Sequence, residues 1–125
     1  MKLQPDRIEL PTLSGYGPGW LGVGPEKITH SLILGSAGQR MDWNCRRFDE
    51  LTPAHFELLA TLDTELVIFG SGQRLRFPPT PWLRALIGRR IGLETMDTGA
   101  ACRTYNILAG EGRSVVAALL LEQPS

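Results

Sequence analysis

Near its end the chain runs through seven consecutive apolar residues, Val115-Val116-Ala117-Ala118-Leu119-Leu120-Leu121, and no other feature narrows the choice of fold so far. Successive side chains of a strand point to opposite faces of its sheet, so a strand with one wet face alternates apolar and polar residues. A continuous apolar strand instead requires cover on both faces, as in a layered α/β domain. The run holds five large aliphatic side chains. Each is worth roughly 1.5–3 kcal/mol when buried, so one wet face would forfeit several kcal/mol of a marginal total. The run is therefore expected to be the central strand of a sheet. It is also the longest apolar run in the chain, and far short of the ~20 residues a helix needs to cross a bilayer.

The rest of the chain supplies partners for that strand. Leu66-Val67-Ile68-Phe69 reads as a second buried strand, Leu93-Glu94-Thr95 as a shorter one, and Arg40–Asn44 as another. Ile28–Leu34 mixes Thr29, His30 and Ser31 with Leu32, Ile33 and Leu34 and reads as one half-buried strand ending at Gly35. Thr52-Pro53 and Thr80-Pro81 each pair a capping hydroxyl with a proline suited to a first helical turn. The first predicts a helix burying Phe56, Leu59 and Ala60. The second predicts one burying Trp82, Leu83, Leu86 and Ile87 before Gly88 stops it. A third helix is expected from Thr98 to Gly110, with Ala101, Tyr105 and Leu108 on one face. Strands 65–69 and 93–96 are expected to be parallel through the Trp82 helix. Whether the last strand runs with or against its neighbours is open on these grounds.

The chain's 125 residues suit one domain over 1–125. Its first 27 residues are rich in Gly and Pro and predict loops and short edge strands, leaving 28–121 as the core. Thirteen basic and thirteen acidic residues cancel, so no overall field draws in nucleic acid or an acidic membrane. Met1–Leu10 carries Lys2, Asp6, Arg7 and Glu9 and lacks the apolar core of a secretion signal. A cytoplasmic location with Cys45 and Cys102 reduced is expected, with no membrane insertion.

Phe69-Gly70-Ser71-Gly72 places a tight turn after a buried strand, where α/β folds expose backbone N–H groups to ligands. A dinucleotide fingerprint would need a third glycine and an immediate helix, and Gln73-Arg74-Leu75-Arg76-Phe77 follows instead. Met96-Asp97-Thr98 leads from a strand straight into a helix start, a second place for an anion. With the strands parallel, Gly70, Ser71, Gly72, Met96 and Thr98 share one edge, and Arg74 or Arg76 would supply charge. Thr104, Tyr105 and Asn106, with Glu111 and Arg113, bracket the end of the third helix, where Glu111 and Arg113 are placed to pair or to line a pocket. Neither Cys102 nor His30 and His55 sits in a nucleophile signature, and no metal cluster or paired-carboxylate motif stands out. The sequence gives no cofactor and no positive sign of catalysis.

Three stretches together carry a resemblance: Val67–Gly72; Gly92–Ala109, with its Met96-x-Thr98-x-x-Ala101-x-x-Thr104-Tyr105-Asn106 core; and Glu111–Leu119, which adds Glu111 and Arg113. They resemble the small domain family that includes mitochondrial respiratory complex I assembly factor three and the adipogenesis-associated protein domain. The resemblance extends loosely over residues 8–121. It implies a three-layer α/β fold around a mixed sheet, with the last strand central and antiparallel to its neighbours. No accepted catalytic role comes with it. It implies a non-catalytic protein-binding or assembly module whose partner is another protein. The alternative is a small-anion-binding enzyme or sensor at the Gly70–Gly72 turn and the Thr98 helix start.

Overall fold

A computed structural model describes residues 12–123. Its chain order is β1 (Leu13–Gly17), β2 (Trp20–Val23), β3 (Glu26–Ile28), β4 (Leu32–Gly35), β5 (Arg40–Asp42), α1 (Pro53–Ala60), β6 (Leu66–Gly70), α2 (Arg84–Gly88), β7 (Gly92–Met96), α3 (Thr98–Gly110) and β8 (Val115–Leu119). Five strands form a mixed sheet in the order β5-β4-β8-β6-β7, and β1-β2-β3 form a separate antiparallel sheet. Residues Val115 to Leu121 are all buried, with β8 in the middle of the larger sheet, as the apolar run requires.

Alternation along the strands divides the core in two. Ile33, Val67, Phe69, Val116, Ala118 and Leu120 face α1 and α2, packing on Phe56, Leu59 and Leu86. Leu32, Leu34, Ile68, Val115, Ala117 and Leu119 face α3, through Ala101, Cys102, Tyr105 and Ala109, and share that layer with Leu13, Leu21, Val23 and Ile28 of the small sheet. The molecule is thus three layers. Cys45 and Cys102 are free and buried on opposite sides of the sheet.

The direction of β8 corrects half of an expectation. It is antiparallel to β4, pairing Leu32 with Leu119 and Gly35 with Val116. It is parallel to β6, however, pairing Leu66 with Val115 and Gly70 with Leu119. The cause is α3, whose thirteen residues are long enough, at 1.5 Å each, to return the chain to the edge where β7 began. β7 is itself parallel to β6, so β6, β7 and β8 end their carboxyl termini on one edge, which β5, antiparallel to β4, also reaches.

The Ile28–Leu34 segment is two strands in two sheets rather than one. Its polar middle makes the change: Ser31 is buried, its Oγ accepts the Leu121 N–H at 2.8 Å, and its carbonyl accepts the Trp43 N–H at 3.0 Å. The short strands of the first 27 residues likewise pair with one another and not with the large sheet's edges; residues 1–11 lie outside the described part.

Both Thr-Pro signals open helices, though differently. At α1 the Thr52 N–H donates to Nδ1 of His55 at 3.1 Å, while His55 Nε2 donates to the Asn44 carbonyl at 2.8 Å, so the imidazole sits between cap and neighbouring loop. At the second, Thr80–Leu83 form a 3-10 turn that continues into α2. Leu86 is buried there, Trp82 and Leu83 are half-buried, and Ile87 is 61% exposed, contrary to its expected core role. A two-part helix changes its residue spacing midway, from three per turn to 3.6, which rotates Ile87 off the buried face. α3 spans Thr98–Gly110 with Ala101 and Tyr105 buried and Leu108 half-buried, matching its predicted extent.

Candidate functional site

The shared edge of β6, β7 and β8 is drawn together by one side chain. Thr98, the first residue of α3, is buried; its Oγ1 donates to the Leu120 carbonyl at 2.7 Å and accepts the Gly72 N–H at 2.9 Å. Backbone bonds complete the node: Thr98 N to Gly72 O, Ser71 N to Met96 O, and Leu120 N to Gly70 O, each 2.9 Å. Close approach is what Gly70 permits, since a Cβ there would stand 3.0 Å from Thr98 Cα and 3.1 Å from the Ala101 methyl. Gly72 takes φ +104°, a conformation that favours glycine, and a Cβ on it would collide with Glu122.

Outside this node lies a cleft of about 240 Å³ between the β1–β2 turn (Tyr16 to Gly19), Gly72 and Gln73, the α3 start (Asp97 to Gly99), and the tail Leu120 to Glu122. Carboxyl ends of parallel strands are the usual ligand position in open α/β sheets. Gly99 keeps the cleft narrow, for a Cβ there would stand 2.7 Å from the Tyr16 ring. Arg103 donates to the Tyr16 hydroxyl and lies over its ring, fixing that wall.

The charged side chains lining the cleft are acidic. Asp97 caps α3, with Oδ1 accepting the Ala100 N–H at 2.9 Å, so the helix's positive end already holds a carboxylate. Glu122 pairs with Arg76 at 2.5 Å. An anion entering here meets two carboxylates, and the guanidinium groups of Arg76 and Arg103 beside it are engaged.

Sequence reasoning placed Gly72 and Thr98 on the cleft wall and missed the β1–β2 turn and Glu122. The other named residues have separate duties. Gly70, Ser71 and Met96 belong to the strand-end node; Ser71 Oγ also donates to the Arg74 carbonyl at 2.7 Å and accepts the Arg76 N–H at 2.9 Å. The Arg74 side chain is exposed. Asn106 grips β1 by both amide atoms, accepting from Leu13 N at 3.0 Å and donating to Leu13 O at 2.7 Å. Thr104 is half-buried, and Tyr105 is fully buried in the α3 layer, where burial pushes its hydroxyl up to about 12. Glu111 and Arg113 are exposed at the far end of α3, and no ion pair joins them among the described residues; Arg113 lines a separate shallow cleft with Ser36 and Gly112. Burial raises both thiols to about 12, so neither is a thiolate near neutrality. Among the described residues no group of three or more His, Cys, Asp or Glu side chains is placed to hold a metal, and no helix is long and apolar enough to cross a membrane.

With this geometry in hand, the comparison with known proteins is decisive on ancestry. The profile of a family described as "Protein of unknown function (DUF498/DUF598)" matches residues 13–120. The chain belongs to this family. Among family-like relatives, NADH dehydrogenase [ubiquinone] 1 alpha subcomplex assembly factor 3 of Bos taurus is 37% identical over 82 residues, 64% of this chain. The chain spans 45% of that protein's length. A "13 kDa major membrane protein" of Francisella tularensis is 27% identical over 118 residues, covering 92% of this chain and 95% of the relative. The crystal structure of a Bordetella parapertussis protein superposes with TM-score 0.86 at 34% identity, over 92% of this chain and 98% of the other. The solution structure of a Bordetella pertussis Mth938-like domain gives 0.83 at 31% identity, over 100% and 95%.

Proposed function

We propose that this chain is a non-catalytic protein-binding module that acts in assembly, in the cytoplasm. The 37% identity to an assembly factor over 82 residues carries the reading. The chemistry of the described residues supports it: both thiols are buried and held protonated, and the buried tyrosine is held protonated as well. Binding surface remains available on α3, where Ile107 is 60% exposed between Arg103 and Glu111 on the outer side of the helix.

Affinity capture from native lysate with the full chain, followed by quantification, tests the reading. A reproducible stoichiometric partner lost on Ile107→Asp or Arg113→Ala, both surface positions, is expected; recovery of no such partner counts against it. The anion-binding alternative has one observation in its favour, that Gly72 and Thr98 do meet at an open cleft. Thermal-shift screening with phosphorylated and carboxylated metabolites addresses it, because a ligand of the native state must raise Tm. The acidic lining makes no shift the expected result.

A further inference from the structure

The balanced charge of the whole chain conceals a strong local imbalance. Residues 66–93 contain five arginines and no acidic residue, so the remaining chain carries all thirteen carboxylate side chains against eight basic ones. Within that arginine-only stretch lies the connection from β6 to α2. Its conformation is held from inside by Arg76, which pairs with Glu122 at 2.5 Å, donates to the Ser71 carbonyl at 3.3 Å, and lies 4.8 Å from the Phe48 ring centre. Ser71 Oγ grips the same loop through Arg74 and Arg76. Because Arg76 turns inward, its two neighbours turn out: Leu75 is 52% exposed and Phe77 68%, the latter the most exposed large apolar residue described. Trp82 also packs on Phe48, which holds the start of α2, and exposed Arg84, next to the loop. The acidic residues nearest Phe48, Asp49 and Glu50, are engaged with Arg47 at 3.4 and 3.2 Å.

We infer that Leu75 and Phe77, with exposed Arg74 beside them in the loop and exposed Arg84 at the start of α2, form a peripheral anchor for an anionic lipid surface. Two outward apolar side chains on a braced loop suit shallow entry into the interface between headgroups and acyl chains. Guanidinium groups beside them suit lipid phosphates, and their apolar stems remain compatible with the interface. Neither cleft described above is lined by any of residues 74–90, so these side chains stand on an open surface. The anchor stands apart from the protein-binding reading and holds whether or not that reading does. It is association with a surface, not crossing of a membrane.

Co-sedimentation of the full chain with sucrose-loaded vesicles tests it. The probes are pure phosphatidylcholine and an equal mixture of phosphatidylcholine and phosphatidylglycerol, each at low and at physiological salt. The expected result is pelleting with the anionic vesicles, weakened by salt and absent with phosphatidylcholine. Leu75→Ser/Phe77→Ser should cut the bound fraction about tenfold, since neither the apolar side chains nor the guanidinium groups suffice alone. Arg74→Glu/Arg84→Glu should abolish the preference for anionic lipid. All four side chains are exposed, so an unchanged Tm accompanies each variant. The inference is overturned by no pelleting with anionic vesicles at low salt, or by equal pelleting of the Leu75→Ser/Phe77→Ser variant. Indifference to vesicles combined with loss of a captured protein partner in that variant would overturn it too, and reassign the loop to protein contact.

Discussion

The two faces of the large sheet solve the same burial problem with different side chains. Toward α1 and α2 the core is aromatic: Trp43, Phe56 and Phe69 meet edge to face with ring centres 5.4 to 6.1 Å apart, and Phe48 and Trp82 extend the cluster. Toward α3 it is built from Ala101, Cys102, Ala109 and Ala117 with larger aliphatics, and Tyr105 is the one aromatic among its buried members. Large rings span a wide gap, so the eight-residue α1 and five-residue α2 need not approach the strands closely. Small residues let a thirteen-residue helix come near enough for one threonine to bond two strand ends. The cleft stands beside α3, where that helix begins against the carboxyl ends of β6 and β8.

This contrast can be broken by measurement. If the aromatic face concentrates its packing in few side chains, Phe56→Ala should cost about 3–5 kcal/mol in urea unfolding. On the other face Ala101→Gly should cost only about 1 kcal/mol, near its helix-propensity penalty; equal losses would dissolve the distinction. Thr98→Val should fall between them at about 1–3 kcal/mol, because it strands the Gly72 N–H and deprives the Leu120 carbonyl of its donor. Hydrogen exchange in that variant should quicken first at Gly72, whose N–H loses its acceptor.

Alkali should sharpen the comparison further. Burial raises Cys45, Cys102 and Tyr105 to about 12, from ordinary values of 9 for the thiols and 10 for the phenol. Each is an acid that keeps its proton longer folded than unfolded, so its contribution is complete below pH 9 and is lost as pH climbs toward 12. Stability in urea should therefore fall steadily between about pH 9 and pH 12. The smallest expected effect is Leu75→Ser/Phe77→Ser, within about 0.5 kcal/mol of the parent chain because both side chains are exposed.

Legibility in the sequence followed the same physics. Val115–Leu121 announced a central strand because burial on both faces leaves no polar position. Thr52-Pro53 announced a helix start because capping is local, whereas Thr80 lies inside the 3-10 turn that precedes α2 and caps neither. Strand direction at β8 was not legible, since it depends on where α3 returns the chain. The division of Ile28–Leu34 was hidden because Ser31's partners, Leu121 and Trp43, are remote in sequence. For the cleft, Gly72 and Thr98 were found at strand ends, a local signal. Tyr16 and Glu122 were not, for Tyr16 meets Arg103 across 87 residues and Glu122 meets Arg76 across 46. The inward turn of Arg76 was unreadable for the same reason, and with it the outward display of Leu75 and Phe77.

The position of β8 has a consequence for how the molecule comes into being. β4 and β5 can pair as soon as both exist, and β6 and β7 likewise, but the two pairs do not touch along the sheet until β8 fills the gap between them. During synthesis the growing chain must therefore hold two unjoined ribbons, with open edges, until its last strand has emerged. A chain cut short before Val115 would keep most of its helices and strands in sequence yet have no means of becoming one sheet.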